Sequence, residues 1–318
     1  MPVWLLRQAG RYLPEYMEIR SKFPDFFEMI KTPKICKELT LQPLKRFPLD
    51  AAITFTDILT IPEAMGVDIK FIKGQGPVFA DSINNNPKLT LNESNYLEKL
   101  DYVFEATQLI KGEIDVPLIG FSGSPWTLFV YLFYGRSPRD YEIIKSYVSN
   151  EPENTHAILK ALTNAIKEYI SAQIKSGADC IQIFDSWGGI LSDQYNEFSL
   201  NYINEVRASL SQDIPMILYA KGTSVNGLLP DTKIDCFNLD CEENIDDYID
   251  MPLTIQGNFD PKDFHKEDAE LINLADNIFE KYHTKQNYIF NVGSGITPDI
   301  NPEKVSLFLE RLRLFNSK

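Results

Sequence analysis

The sequence predicts an α/β protein folded as a single (β/α)8 barrel over residues 1–318. Three observations predict it. Eight short apolar runs are near-continuous rather than alternating, the pattern of parallel strands covered on both faces. Most of these runs are separated by segments with helical periodicity, the βαβα order of a parallel sheet. Hydrophobic residues make up 44% of the 318, enough for one large core, and no long linker or obvious repeat divides the chain. A doubly wound open sheet is the second arrangement that fits this order.

The runs are, in order, "PVWLL" (2–6), "AAITFT" (51–56), "PLIGFS" (117–122), "CIQIF" (180–184), "PMILYA" (215–220), "CFNL" (236–239), "LTIQG" (253–257) and "YIFNV" (288–292). Between the third and fourth, residues 158–176 place Leu159, Leu162, Ile166, Tyr169 and Ile170 on one helical face and stop at Gly177. The last helix begins with Asn301 as its cap and Pro302 in its first position, and turns Val305, Phe308, Leu309 and Leu312 inward. Residues 82–94 read as a loop, and the acidic stretch 240–250 as a solvated surface.

A barrel keeps its active site at the carboxyl ends of its strands, so the residues just past each run are the candidates. They are Arg7 and Arg11, Asp57, "SGSPW" (122–126), "DSW" (185–187), Lys221, Asp240, "NFD" (258–260) and "GSG" (293–295). Arg7 and Arg11, four apart around Gly10, suit bidentate capture of a carboxylate or phosphate; a structural ion pair is the plainer alternative. Asp57 reads either as a helix cap or as a carboxylate in the barrel mouth: a base, an acceptor for N–H donors or a counter-ion for a cation. Lys221 reads as a Schiff-base nucleophile or a plain charge partner. The "GSG" turn sits where many barrels bind phosphate.

A net charge of −14 argues against nucleic acid or an anionic membrane as partner, so an anionic ligand must be met by a few local cations. The apolar stretch 117–134 is broken by Gly120, Gly123 and Pro125, no membrane span or signal peptide is expected, and a cytoplasmic location follows. Cys36, Cys180, Cys236 and Cys241 show no C-x-x-C spacing and read as reduced thiols. His156, His265 and His283 fall outside the strand ends, which disfavours a histidine-based metal site.

Six stretches together resemble the uroporphyrinogen decarboxylase family: "PVWLLRQAGRYLPEY" (2–16), "ELTLQPLKRFPLDAAITFTDIL" (38–59), "PLIGFSGSPWTL" (117–128), "IQIFDSWGG" (181–189), "LTIQGNFDP" (253–261) and "TPDINPE" (297–303). The resemblance implies a single (β/α)8 barrel, a cytoplasmic homodimer and no cofactor or metal. It implies removal of the four acetate carboxyls of uroporphyrinogen III to give coproporphyrinogen III. It also implies that Arg7, Gln8, Ala9, Gly10, Arg11, Phe26, Asp57, Tyr131, Ser186 and Ser294 line the substrate site. In that scheme Asp57 accepts the pyrrole N–H donors and stabilises the cation formed by ring protonation. Arg7 helps to deliver the proton, with a bound water as one route. An ion pair at about 4 Å in an effective dielectric of about 20 is worth roughly 4 kcal/mol, or about a thousandfold in rate.

The chain departs from the family pattern at three places. The family usually carries a segment before "PVW"; Cys241 stands where tryptophan is usual; and Ser294 stands where histidine is usual. Three other readings compete: a lysine-dependent aldolase using Lys221, a corrinoid methyl-transfer relative that would need a zinc site, and a porphyrinogen-binding relative without turnover.

Overall fold

The computed structural model describes residues 1–72, 74–223, 225–228 and 231–316. Its strands are β1 (Ala52–Ile53), β2 (Ile69–Ile72), β3 (Gly76–Phe79), β4 (Leu118–Gly123), β5 (Cys180–Asp185), β6 (Met216–Ala220), β7 (Cys236–Asn238), β8 (Thr254–Gln256) and β9 (Tyr288–Ile289). Seven of them form one parallel sheet in the order β1-β4-β5-β6-β7-β8-β9; β2 and β3 form a separate antiparallel hairpin. Consecutive parallel strands need crossover connections, and helices supply most of them. The residues of β4 and β6 are buried along their whole length, as expected for strands covered on both faces.

The sheet curls. Gln182 on β5 and Gln256 on β8 are separated by two strands, yet Gln256 Nε2 lies 3.3 Å from Gln182 Oε1. Only a concave sheet brings them together. Gln256 Nε2 also donates to Asn238 Oδ1 at 2.6 Å, and its Oε1 accepts from Trp4 Nε1 at 3.0 Å. This buried polar network occupies the concave side, and its hydrogen bonds offset the cost of enclosing amides there.

The first expected strand is a correction. Residues 2–6 pair at a single parallel bridge, Val3 with Phe290, rather than as a full strand. Trp4 N donates to Phe290 O and Phe290 N to Pro2 O; on the other side Asp50 N donates to Val3 O, and Val3 N to Asp50 Oδ2. The segment therefore lies between the two edges of the seven-stranded sheet. Further on, side chains take over the backbone groups, and Leu6 N donates to Asn291 Oδ1 at 2.7 Å. The "AAITFT" run is likewise strand only at Ala52–Ile53, because Thr40 Oγ1 captures the Phe55 N–H at 2.9 Å. The other six runs hold strands within a few residues of their expected bounds, although "YIFNV" is strand only at Tyr288–Ile289.

The hairpin β2–β3 was not expected. Its turn uses Gly74 (φ +82°) and Gly76 (φ +81°), conformations that glycine adopts without strain. The helix expected at 158–176 begins earlier and spans Pro152–Lys175, because its first inward residue is the buried polar Thr155, which carries no apolar signal. The last helix, Pro302–Asn316, follows its predicted cap: Asn301 Oδ1 accepts from Glu303 N at 3.0 Å. In the acidic stretch 240–250, Ile245, Tyr248 and Ile249 are buried, so only part of it is solvated.

Candidate active site

The turn after residues 2–6 is pinned from beneath. Gln8 is buried; its Nε2 donates to Ala51 O at 2.7 Å, and its Oε1 accepts the Ile53 N–H at 3.3 Å. Its backbone carbonyl accepts from Tyr12 Oη at 2.6 Å. Gln8 thus fastens the arginine turn to the start of β1. Gly10 is buried and Ala9 half-buried, while Arg7 and Arg11 are exposed. Neither arginine has a carboxylate within 4 Å among the described residues, so the structural ion pair weighed from sequence is not formed.

Arg7 leans over the "GSG" turn. A Cβ built on Gly295 would come within 3.0 Å of the guanidinium carbon of Arg7, so any larger residue there would displace the guanidinium. Asp57 lies at the carboxyl end of β1. Its Oδ1 accepts from Leu59 N at 2.8 Å, a turn contact two residues on; the helix Thr60–Ala64 has Leu59 at its N-cap and no side-chain cap, so the capping role expected of Asp57 is not formed. Its Oδ2 accepts no protein hydrogen bond among the described residues. Burial pushes the Asp57 carboxyl from the usual 3.8 up to about 6, against the opposing pulls of the Leu59 N–H and the Arg7 charge. The residue keeps some accessible surface, so its carboxyl is desolvated by surrounding protein yet reachable from the mouth.

Three tyrosines among the described residues feel the Arg7 charge. Tyr131 feels both Asp57 and Arg7, and burial raises its phenol. Tyr16 is raised by burial and feels Arg20, Arg11, Arg7 and Asp57. Tyr219, near the end of β6, is raised by burial, feels Asp240, Cys241 and Arg7, and donates from its hydroxyl to Gly293 O at 3.1 Å. Sequence reasoning missed Tyr16 and Tyr219; in Tyr219 the only available signal was a polar handle at the last positions of a strand.

Phe26 is half-buried against Phe71 of the hairpin, with ring centroids 4.5 Å apart, and against Phe55 at 6.4 Å. Ser186 is half-buried beside Trp187, and its hydroxyl has no protein partner among the described residues. Ser294 meets Cys241: Sγ and Oγ are 3.5 Å apart, so the two departures from the family pattern inside the fold are neighbours in space. The structure therefore sets the 293–295 turn against Arg7 and brings Arg7, Asp57 and Tyr131 within electrostatic reach of one another; Arg11 acts on Tyr16, and Phe26 and Ser186 lie beside aromatic neighbours.

Asp185, first residue of the "DSW" candidate, is scaffold. It is fully buried and accepts from Ser124 Oγ at 2.7 Å, Thr127 Oγ1 at 3.0 Å and Ser199 Oγ at 2.7 Å. The Lys221 side chain is exposed, without the apolar enclosure that activates a lysine nucleophile. His156 stacks on Phe198, His265 pairs with Asp299 and His283 stacks on Phe279. No His/Cys/Asp/Glu group arranged to hold a metal ion occurs among the described residues. Two surface cavities, of 360 and 540 Å³, lie between the hairpin side and residues 133–154 and contain none of the candidate site residues.

Unpaired arginines and a half-satisfied carboxyl of raised pKa, gathered at the carboxyl ends of a curled parallel sheet, define an α/β enzyme that handles an anionic small molecule. Comparison with known proteins gives the family. Residues 1–314 match the family model described as Uroporphyrinogen decarboxylase (URO-D), and the chain belongs to that family. It is 41% identical to the uroporphyrinogen decarboxylase of Francisella philomiragia, over 99% of this chain and 95% of that protein. It is 40% identical to the enzyme of the same name from Pseudoalteromonas translucida, over 100% and 93%. Among solved structures, a methyltransferase from Methanosarcina mazei superposes with a TM-score of 0.81 at 18% identity, covering 99% of this chain and 94% of that one. At that identity the likeness concerns the fold alone.

Proposed function

We propose that the protein decarboxylates uroporphyrinogen III, converting its four acetate side chains to methyl groups and releasing coproporphyrinogen III. The observation that carries this is the pairing of unmatched Arg7 and Arg11 with the desolvated Asp57 carboxyl. A substrate with eight carboxylates needs cations that no protein carboxylate has neutralised. A reaction through a protonated pyrrole needs an anion held where the cation forms.

Each round takes up one proton and releases one carbon dioxide. Protonation of a pyrrole ring carbon makes a cation; the adjacent acetate loses its carboxyl as carbon dioxide, and the electron pair flows into the ring. The exocyclic carbon then takes a proton to become methyl as the ring carbon gives its own up. Asp57 Oδ2, free of protein donors, accepts the pyrrole N–H groups and opposes the ring cation. Arg7 and Arg11 grip carboxylates, Arg7 delivers the proton with help from bound water, and Tyr131, Ser186 and Ser294 donate to further carboxylates. Gln8, Ala9 and Gly10 shape the floor, and Phe26 offers an apolar wall to the macrocycle.

We further propose that residues 2–6 complete a single-domain (β/α)8 barrel by bridging β9 and the start of β1, and that the protein works as a cytoplasmic homodimer without cofactor or metal. No helix among the described residues is long and apolar enough to cross a membrane. Anaerobic incubation with uroporphyrinogen III and chromatography of the products tests the reading. Coproporphyrinogen III with four carbon dioxide per substrate supports it; binding without product would favour a non-catalytic relative. Activity lost on borohydride treatment with a keto substrate would favour an aldolase.

A further inference from the structure

Trp187 sits between two tyrosines. Its ring centroid lies 6.0 Å from that of Tyr131, nearly edge-on at 71°, and 6.4 Å from that of Tyr141. Its backbone carbonyl accepts from Trp126 Nε1 at 2.9 Å, which fastens the residue to the helix Pro125–Tyr134 that carries Tyr131. That helix is fixed in turn: Ser124 caps it by accepting from Thr127 N, and Ser124 and Thr127 both donate to Asp185, two residues before Trp187. The strand end and the helix therefore move as one body.

Within this frame the Trp187 Nε1 is buried and has no hydrogen-bond partner among the described residues. A buried donor left unpaired costs free energy comparable to a lost hydrogen bond, so its persistence calls for a role. Tyr131 is the polar neighbour. Trp187 and Ser137 both approach the Tyr131 hydroxyl without reaching hydrogen-bond geometry, and both pull the phenol down while burial and Asp57 push it up. Arg7 is the remaining charge that Tyr131 feels, and it also lowers the phenol. Indole N–H is a donor only, whereas a phenol is both donor and acceptor. A donor aimed at the Tyr131 oxygen fills its acceptor side and turns the Tyr131 proton outward.

We infer that Trp187 is a positioning residue: its indole N–H is held toward the Tyr131 hydroxyl oxygen as its donor, with or without substrate, which leaves the Tyr131 proton for a substrate carboxylate. The inference rests on the proposed role of Tyr131 as a carboxylate donor. Trp187 does not touch substrate in this scheme; it sets the polarity of a residue that does.

Trp187→Phe keeps a ring and removes the donor. The KM for uroporphyrinogen should rise about fivefold to tenfold, the size of one hydrogen bond, with kcat within about twofold. Trp187→His, which keeps a ring N–H, should restore most of the KM. Tyr131→Phe should raise KM at least as much, and the double variant no further, because one interaction is being removed twice. An unchanged KM in Trp187→Phe, or losses that multiply in the double variant, overturns the inference. A second readout needs no substrate. In protein labelled with ¹³Cζ-tyrosine, the Tyr131 resonance is the one absent from Tyr131→Phe. Its alkaline midpoint should rise in Trp187→Phe, and an unmoved midpoint overturns the inference. If the wild type fails to consume uroporphyrinogen, the functional reading falls while this midpoint still decides whether the donor is there.

Discussion

Asp57 and Asp185 are two carboxyls at the carboxyl ends of two strands of one sheet, β1 and β5, with β4 between them, and they have opposite surroundings. Asp185 is enclosed and its oxygens accept from three hydroxyls on two separate segments. Asp57 has one backbone donor, one free oxygen and an arginine whose charge it feels. Burial raises both carboxyls. What differs is what remains to be satisfied: a carboxylate whose lone pairs are filled by its own protein is scaffold, and one with an open oxygen beside an unpaired cation is free to meet a ligand.

The largest expected effect comes from removing the charge at Asp57. Asp57→Asn should keep the fold and the contact to Leu59 N, because the shape is the same. Turnover should fall by about a thousandfold, the value of one ion pair at an effective dielectric of about 20. KM should move much less. Single-turnover rates on the two proteins measure it, and near wild-type turnover in Asp57→Asn would refute the counter-ion role.

The raised carboxyl also sets a pH window. If the anion is the active form, kcat/KM of the free enzyme should fall tenfold per pH unit below about pH 6, where Asp57 protonates. Stability runs the other way. The folded carboxyl binds its proton more tightly (pKa about 6) than an unfolded one at 3.8, so the Asp57 contribution to stability falls as pH rises from about 4 to about 6 and is constant above. Asp57→Asn should lack that slope. Urea midpoints at pH 4, 5, 6 and 7 compare the two, and identical pH dependence would show that Asp57 is not desolvated.

Next comes the scaffold carboxyl. Asp185→Ala strands the hydroxyls of Ser124, Thr127 and Ser199 in a buried site. At about 1–3 kcal/mol for each group left unpaired, less what rotation of the hydroxyls recovers, roughly 3 kcal/mol of stability should go. Asp185→Asn should cost much less, since its oxygen still accepts two hydroxyls and its amide can donate to Ser199. Denaturant titration separates them. Equal losses would mean that the charge, not the hydrogen bonding, holds this junction.

Much of this was legible in the sequence, and the gaps have physical causes. Six of the eight runs contain the expected strands because a strand buried on both faces must be apolar throughout. The two runs nearest the arginines are irregular because Thr40, Asn291 and Asp50 replace backbone partners, and a side chain that competes with a ladder leaves no trace in hydropathy. The hairpin was missed although Gly74-Gln75-Gly76 between two apolar runs marks a turn. For the candidate site, reading residues just past each strand pointed to Arg7, Arg11, Asp57 and Ser294. It also placed Asp185 and Lys221 on the same footing, since position cannot report burial. Tyr131 came from the family resemblance alone, Ser186 from both that resemblance and its place in the "DSW" strand end, and Tyr219 from neither.

The smallest effect concerns Ser294, where the chain leaves its family's pattern. Its hydroxyl faces Cys241, and its neighbour Gly295 lies against the Arg7 guanidinium. The resemblance implies tryptophan and histidine where these two small residues meet, and replacing both large rings together would leave space beside Arg7. A serine reaches a carboxylate across that space only through water, and a bridging water keeps most of a hydrogen bond's enthalpy. Ser294→His should therefore bind substrate only a little more tightly, about tenfold at most, the range of one charge-assisted hydrogen bond. The gain should be concentrated below the ordinary histidine pKa of about 6.5, where the ring is charged. KM and kcat for both forms across pH 6 to 8 test this. If wild type were inert and Ser294→His alone restored turnover, the open carboxylate and the arginines would not suffice, and histidine would belong beside Asp57 rather than with the scaffold.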